Sequence, residues 1–370
     1  MRHLTPLLIT LVFMILVPVS TLAASSRTIV DATGTTRIIP ASVNNVICSG
    51  SGCLRLLTYL EGQSMIVGVD DMETRRNRFE ARPYALANPG FKDLPTFGEF
   101  RGHDHPERIL TLSPQPDVIF KTFATTGTNP DELIQKTGIP VIVLDSGDLG
   151  DYRQNFYNSL RIMARVIGKE DRAEAVIDFF ETNIQEIGSR THEAKAEHLP
   201  SVYIGGVAHK GPHGFQSTEP DYPPFRFVGL RNMAYTTGLT GKGLQHSDVA
   251  KEKILEWDPN VLFLDLSTLQ FGEQGGGLDE LKNDPAYQAL TAVQTGKVYG
   301  VLPYNWYSQN CGSILADAWF IGKTLFPEQF KDIDPQSKAD AIYTFLVGKP
   351  VFDKMDQAFE NLVFKKIPVN

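Results

Sequence analysis

Residues 152–196 begin Tyr152-Arg153-Gln154-Asn155-Phe156-Tyr157-Asn158-Ser159-Leu160-Arg161-Ile162-Met163 and run on through Ile167-Gly168-Lys169 to Phe179-Phe180-Glu181-Thr182-Asn183-Ile184. Apolar residues recur at Phe156, Leu160, Met163 and Ile167, then at Ala173, Ile177, Phe180, Ile184 and Ile187. Steps of three and four lay one apolar stripe along a helix. Gly168 interrupts the pattern once. The stretch decides the fold because strand patterns lie on both sides of it.

Upstream, Thr28-Ile29-Val30-Asp31 and Arg37-Ile38-Ile39-Pro40 flank a Gly34 turn. Asn45-Val46-Ile47-Cys48 is a short apolar strand that runs into Ser49-Gly50-Ser51-Gly52 and the helical pattern Leu54, Leu57, Leu60. Met65–Val69, Pro116–Phe120 and Ile139–Leu144 are further strands between helices. Downstream, Ser201–Gly205, Val261–Asp265 and Lys297–Val301 repeat the logic, with helices expected around Ile254, from Ile314 to Leu325, and from an N-cap at Ser337 to Leu346. Strands alternating with helices indicate α/β units with parallel sheets. The expected fold is therefore α/β: two α/β lobes with largely parallel sheets joined by a long interlobe α-helix. The boundaries are a first lobe at 26–165, the interlobe helix at 166–198 and a second lobe at 199–370. Open α/β sheets bind ligands beyond the carboxyl ends of their strands, so two facing lobes make a cleft.

The N-terminus reads Met1-Arg2-His3, an apolar run from Leu7 to Val17, Pro18, and the small residues Ala23-Ala24-Ser25-Ser26. That is the layout of a cleavable signal peptide over 1–25, with the cut between Ala23 and Ser26. The competing reading is an uncleaved anchor, since Leu4–Ala23 is just long enough to span a bilayer. No cysteine follows the apolar core, so the chain is not expected to be a lipoprotein. The balance is acidic, 35 Lys+Arg against 43 Asp+Glu, without a basic block, which argues against nucleic acid as a partner. Of the three cysteines, Cys48 and Cys53 can pair across a small loop, while a buried inert thiol is the plainer reading of each.

Several segments resemble a known family. Val30-Asp31-Ala32-Thr33-Gly34, Ile39-Pro40 and the Val46-Ile47 strand are similar to the start of substrate-binding proteins of iron-complex and cobalamin ABC importers. Glu107-Arg108-Ile109-Leu110 with Pro116-Asp117-Val118-Ile119 resembles their first-lobe segment, and Glu252–Phe263 its second-lobe counterpart. Ala316–Glu328 resembles the iron-complex subfamily. The resemblance implies the class III periplasmic binding-protein fold, chelatase-like, with a rigid spine that limits closure to small rocking movements. It also implies a monomer in the periplasm, touching the membrane only through an ABC permease with its cytoplasmic ATPase. One acidic side chain on each lobe would dock the permease, with Glu61, Glu99, Glu132, Glu252 and Glu280 as candidates.

Four loops carry candidate ligand contacts. Ser49 and Ser51 lie in a Ser/Gly turn that is either an anion cradle or an ordinary βα turn. In Arg101-Gly102-His103-Asp104-His105, Arg101 can pair with an anionic chelate, and His103 and His105 are weak metal-ligand candidates; Asp104 capping the next helix is the alternative. The long loop from His209 brings His209, Lys210, His213, Phe215 and Tyr222 toward the cleft. The run Pro303–Cys311 offers Tyr304, Trp306, Tyr307 and Asn310. These groups suit a chelated metal such as iron(III), with no permanently bound cofactor. The expected function is capture of an iron(III)-siderophore or related metal complex for import. Molybdate or tungstate, cobalamin and haem are the alternatives. A secreted hydrolase would need a nucleophile with its base, and no G-x-S-x-G elbow is present, so no enzyme is expected. A metal-storage or structural surface protein is the remaining class.

Overall fold

The computed structural model describes residues 25–75, 78–122, 124–192, 199–236, 238, 243–272, 275–305 and 307–369. The expected signal peptide and Trp306 therefore lie outside the described residues.

In the first half, strands β1 (Ser26–Val30) and β2 (Thr36–Pro40) form an antiparallel hairpin. There follow β3 (Val46–Ser49), β4 (Ile66–Asp70), β5 (Thr96–Glu99), β6 (His103–Asp104), β7 (Val118–Lys121) and β8 (Val141–Val143), a six-stranded sheet in the order β6-β5-β4-β3-β7-β8. All its pairings are parallel except β5 with β6. The apolar runs are continuous because both faces are covered. Val46 and Cys48 join one core cluster and Ile47 the other; Val118 and Phe120 divide from Ile119 in the same way, and Ile142 from Val141. Alternation of side chains along a strand splits each run between two layers. In the second half, β9 (Val202–Gly205), β10 (Ser217–Thr218), β11 (Ser247–Asp248), β12 (Val261–Asp265) and β13 (Val298–Val301) give a parallel sheet in the order β13-β12-β9 and an antiparallel β10-β11 pair.

Between the sheets run two helices, Arg153–Ile167 and Glu170–Thr191. Gly168 ends the first with φ +71°, a left-handed turn that glycine adopts without steric cost. The long helix thus starts at Glu170 instead of 166, and residues 193–198 are outside the described set. Its buried residues Ala173, Val176, Ile177, Phe180, Asn183 and Ile187 follow the helical period. Phe180 packs near Tyr59 and edge-on to Phe156 in the first half, at 6.1 and 5.5 Å between ring centres. Three residues on, Asn183 Oδ1 accepts a 3.0 Å hydrogen bond from Trp319 in the second half.

Two expected caps differ from the structure. The helix Pro335–Val347 is capped by Asp334, whose carboxylate accepts from the Ser337 N–H at 2.8 Å, so Ser337 is the residue being capped. Asp104 caps nothing. Its Oδ2 pairs with the Lys121 ammonium, both side chains fully buried, and Lys121 also donates to Gly102 O at 2.7 Å and Ser49 Oγ at 3.2 Å. One cation thereby ties the ends of β3 and β7 to the loop leading into β6. Removing one partner of a buried pair strands the other charge. Asp104→Ala is expected to lower unfolding free energy by roughly 3–5 kcal/mol in urea titrations, and a loss under about 1 kcal/mol would mean that water reaches Lys121.

Candidate functional site

Loops leaving the carboxyl ends of the strands enclose a cavity of about 410 Å³. After β8 come Asp148, Asp151 and Tyr152; after β9 and β10 come Glu219, Asp221 and Arg226; the chain leading into β11 adds Gln245, and the chain after β13 adds Gln309. The cavity therefore takes its walls from both lobes.

Hydrogen bonds fix most of these groups. Asp148 Oδ1 accepts from the backbone N–H of Gly150 and of Tyr152, each at 2.8 Å, and its Oδ2 accepts from Gln245 Nε2 at 2.8 Å. Arg226 Nη1 reaches Asp151 at 3.1 Å and Asp221 at 2.8 Å, while Arg231 takes the second Asp221 oxygen at 2.8 Å. Glu219 is buried, and its Oε2 accepts from the Tyr304 hydroxyl and from Asn305 Nδ2. Burial pushes the Glu219 carboxyl up to about 8; Asp148 and Asp221 push the same way, against the two hydrogen bonds. Burial also raises Asp148.

A second meeting of the lobes lies where the loop after β13 touches the first lobe. Arg55 Nη1 donates to Ser308 Oγ at 2.9 Å. Tyr307, at φ +59°, sets its ring 6.2 Å from Phe100 and 5.5 Å from the Arg82 guanidinium. Gly52 is required here: a Cβ would stand 2.2 Å from Ser308 Oγ, and φ is +81°. Ser51 Oγ and Arg55 Nε are buried without a hydrogen-bond partner among the described residues.

The sequence candidates scatter. Ser49 is buried and accepts from Lys121. Phe215 is a core residue, edge-on to Tyr203 and Tyr287. Tyr222 is also buried, stacked on Tyr304 with its hydroxyl near Asp317. Asn310 is buried, with Nδ2 donating to the carbonyls of Tyr304 and Ser308, and so shapes its own loop. Arg101 is exposed over Phe100, and Lys210 is exposed. His103 is exposed, and His105 lies 3.8 Å from Glu99. Among the described residues no group of three or more His, Cys, Asp or Glu is arranged to hold a metal. His209 stacks at 4.0 Å on His246, beside His213 at 5.8 Å. Burial, then neighbouring positive charge, lowers the pKa of His209 and His246. Tyr304 reaches the cavity through Glu219, and Tyr307 forms the lobe contact. Cys48, Cys53 and Cys311 are buried thiols.

Sequence reasoning passed over Asp148, Asp151, Glu219, Asp221, Arg226, Gln245 and Gln309. The first two lie in the loop that leaves β8, so the rule applied to Ser49–Gly52 points to them as well. Glu219 and Asp221 stand just past the flagged His209–Thr218 loop.

A family model described as "Periplasmic binding protein" matches residues 46–304, from β3 to the loop after β13. The chain belongs to this family. Among curated relatives of this binding protein is the iron-uptake system-binding protein of Bacillus subtilis (strain 168), 24% identical over 218 residues, 56% of this chain and 62% of the relative. The match thus spans less than two thirds of that relative's length. The molybdate periplasmic binding protein MolA of Haemophilus influenzae superposes with a TM-score of 0.66 at 18% identity, covering 88% of this chain and 98% of MolA. A periplasmic solute binding protein from Veillonella parvula reaches 0.70 at 17% identity, covering 94% of this chain and all of the other. The two-sheet, helix-joined architecture is the class III periplasmic binding-protein fold.

The raised Glu219 carboxyl has a stability consequence. Native Glu219 holds its proton up to about pH 8, whereas the unfolded side chain loses it near the ordinary value of about 4.5. Its stabilising share is complete below the unfolded pKa and is lost as pH rises toward 8. Glu219→Gln should therefore gain stability relative to the parent across that window, by at most ~1.4 kcal/mol per pH unit, in urea titrations at pH 5 and 8. A pH-independent difference would show that Glu219 ionises normally.

Proposed function

We propose that this chain is the solute-binding component of an ABC importer, which captures an iron(III)-siderophore or related metal complex between its lobes. It hands the ligand to a permease driven by a cytoplasmic ATPase. In this reading the protein is a periplasmic monomer released from its signal peptide. It acts by binding and release, without chemistry on the ligand. Among the described residues no helix is long and apolar enough to cross a membrane.

The observation that carries the ligand reading is the cavity. Its 410 Å³ falls within the roughly 300–1,000 Å³ typical of sites for organic ligands. Its walls carry carboxyl groups from both lobes, and its lining arginine is already engaged by Asp151 and Asp221. Among the described residues its charged donor is thus committed to acids of the protein, which favours a chelate over a bare oxyanion such as molybdate or tungstate. The iron-uptake relative points the same way. Permease docking falls to exposed carboxylates: Glu61, Glu99, Glu132 and Glu252 lie on the surface, whereas Glu280 accepts from the Phe215 N–H at 2.9 Å and belongs to the fold.

Native mass spectrometry of the purified protein, followed by calorimetric titration, tests the reading. Ferric complexes are expected to bind one to one and saturably, and molybdate to give no heat. Heat from molybdate or cyanocobalamin with none from any ferric complex would reassign the ligand.

A further inference from the structure

Among the described residues, the charged side chains that line the interlobe cavity are mostly acidic. Its lining carboxyls are Asp148, Asp151, Glu219 and Asp221, and its lining guanidinium is that of Arg226. Arg226 Nη1 turns to Asp151 and Asp221, and Gln245 turns its amide N–H to Asp148. These two donors of the wall are thus directed at its acids. Gln309, another lining residue, keeps its buried Oε1 without a hydrogen-bond partner among the described residues. An unpaired buried acceptor is costly unless an incoming group donates to it. Glu219, closed in by Tyr304 and Asn305, adds a buried carboxyl at the back.

We infer, on the reading that this cavity is the ligand site, that the protein selects metal complexes carrying a cationic, donor-rich group, an ammonium or guanidinium seated among Asp148, Glu219 and Gln309. Three observations support this. The acceptors come from both lobes, so a cation between them draws the walls together. A cation favours the ionised form of a carboxyl that burial otherwise keeps protonated, so Glu219 gains on binding what it loses by burial. An anionic chelate would have to pull Arg226 away from both Asp151 and Asp221. Charge selection of this kind sets specificity through repulsion of the wrong ligand as much as attraction of the right one.

The test uses the full mature protein and three ferric probes. The first is the complex of a linear trihydroxamate ending in a free primary amine, the second the same complex with that amine acetylated, and the third an anionic tris-catecholate complex. Calorimetry at pH 7 is expected to rank the amine form at least tenfold tighter than the acetylated form, with the catecholate weakest. Glu219→Gln and Asp148→Asn, each checked for folding by circular dichroism, should bring the amine form to within about threefold of the acetylated one. Equal affinities of the two hydroxamates in the parent, or an unchanged preference in both variants, overturns the inference. Binding of the catecholate alone overturns it while leaving the ferric-complex reading intact. Failure of all three probes to bind removes that reading and this inference together.

Discussion

The helix Glu170–Thr191 is the constraint on which the rest depends. Its apolar stripe touches Tyr59 and Phe156 through Phe180, and Trp319 through Asn183 one turn on. Two sheets that share no hydrogen-bonded strand among the described residues are thus tied to the same rod through the helices that flank them. The Trp319–Asn183 hydrogen bond matters beyond its net value, because either buried group left alone would carry a desolvation cost of about 1–3 kcal/mol. That fixes the helix's rotation as well as its contact.

The rod is reinforced from the far end of the chain. Phe345, on the helix Pro335–Val347, stacks on Phe179 at 4.1 Å, and the Arg172 guanidinium lies 4.3 Å from the Phe345 ring. The same helix packs on Cys53–Tyr59 and Pro83–Ala87 in the first half, and Lys349 donates to Ala87 O at 2.7 Å. A hinge that swung the lobes wide apart would break this second set of contacts. Small rocking would keep it, and the cleft-side contacts, the Arg55–Ser308 hydrogen bond and the ring contacts of Tyr307 with Phe100 and Arg82, are the ones such a motion would exchange.

The fold was legible because its signals are local and periodic. Continuous apolar runs gave the buried strands, and the three-and-four spacing with a glycine break gave the two spine helices. The site was less legible because its logic is not local. Asp104 looks like a helix cap until Lys121, on a different strand, is seen beneath it. Phe215 and Tyr222 sit in a loop rich in binding-type residues, yet the loop folds back and buries both rings in the second-lobe core. His209 was visible, but its stacking partner His246 arrives from 37 positions further along. Glu219 and Asp148 become partners in one cavity only when two lobes are brought together by a helix that contains neither. Sequence position indicated which ends of the strands would face the cleft, and side-chain direction was decided by packing.

Both lobes end a central strand in the same way. Asp70 closes β4 and accepts from Met72 N–H at 3.2 Å, and Asp265 closes β12 and accepts from Ser267 N–H at 2.8 Å. Each aspartate turns an outgoing strand into a helical segment, a local bond that a short polar side chain makes well. Each is also buried deeply enough to be pushed up, Asp70 to about 8 and Asp265 to about 7, with Glu73 and Asp71 adding to the first. With Glu219 they make three buried carboxyls that desolvation raises. Such an arrangement costs stability near neutral pH, because every one of these groups is harder to ionise folded than unfolded. Of the three, Glu219 lines the cavity, while Asp70 and Asp265 are buried groups that shape the strand ends behind it.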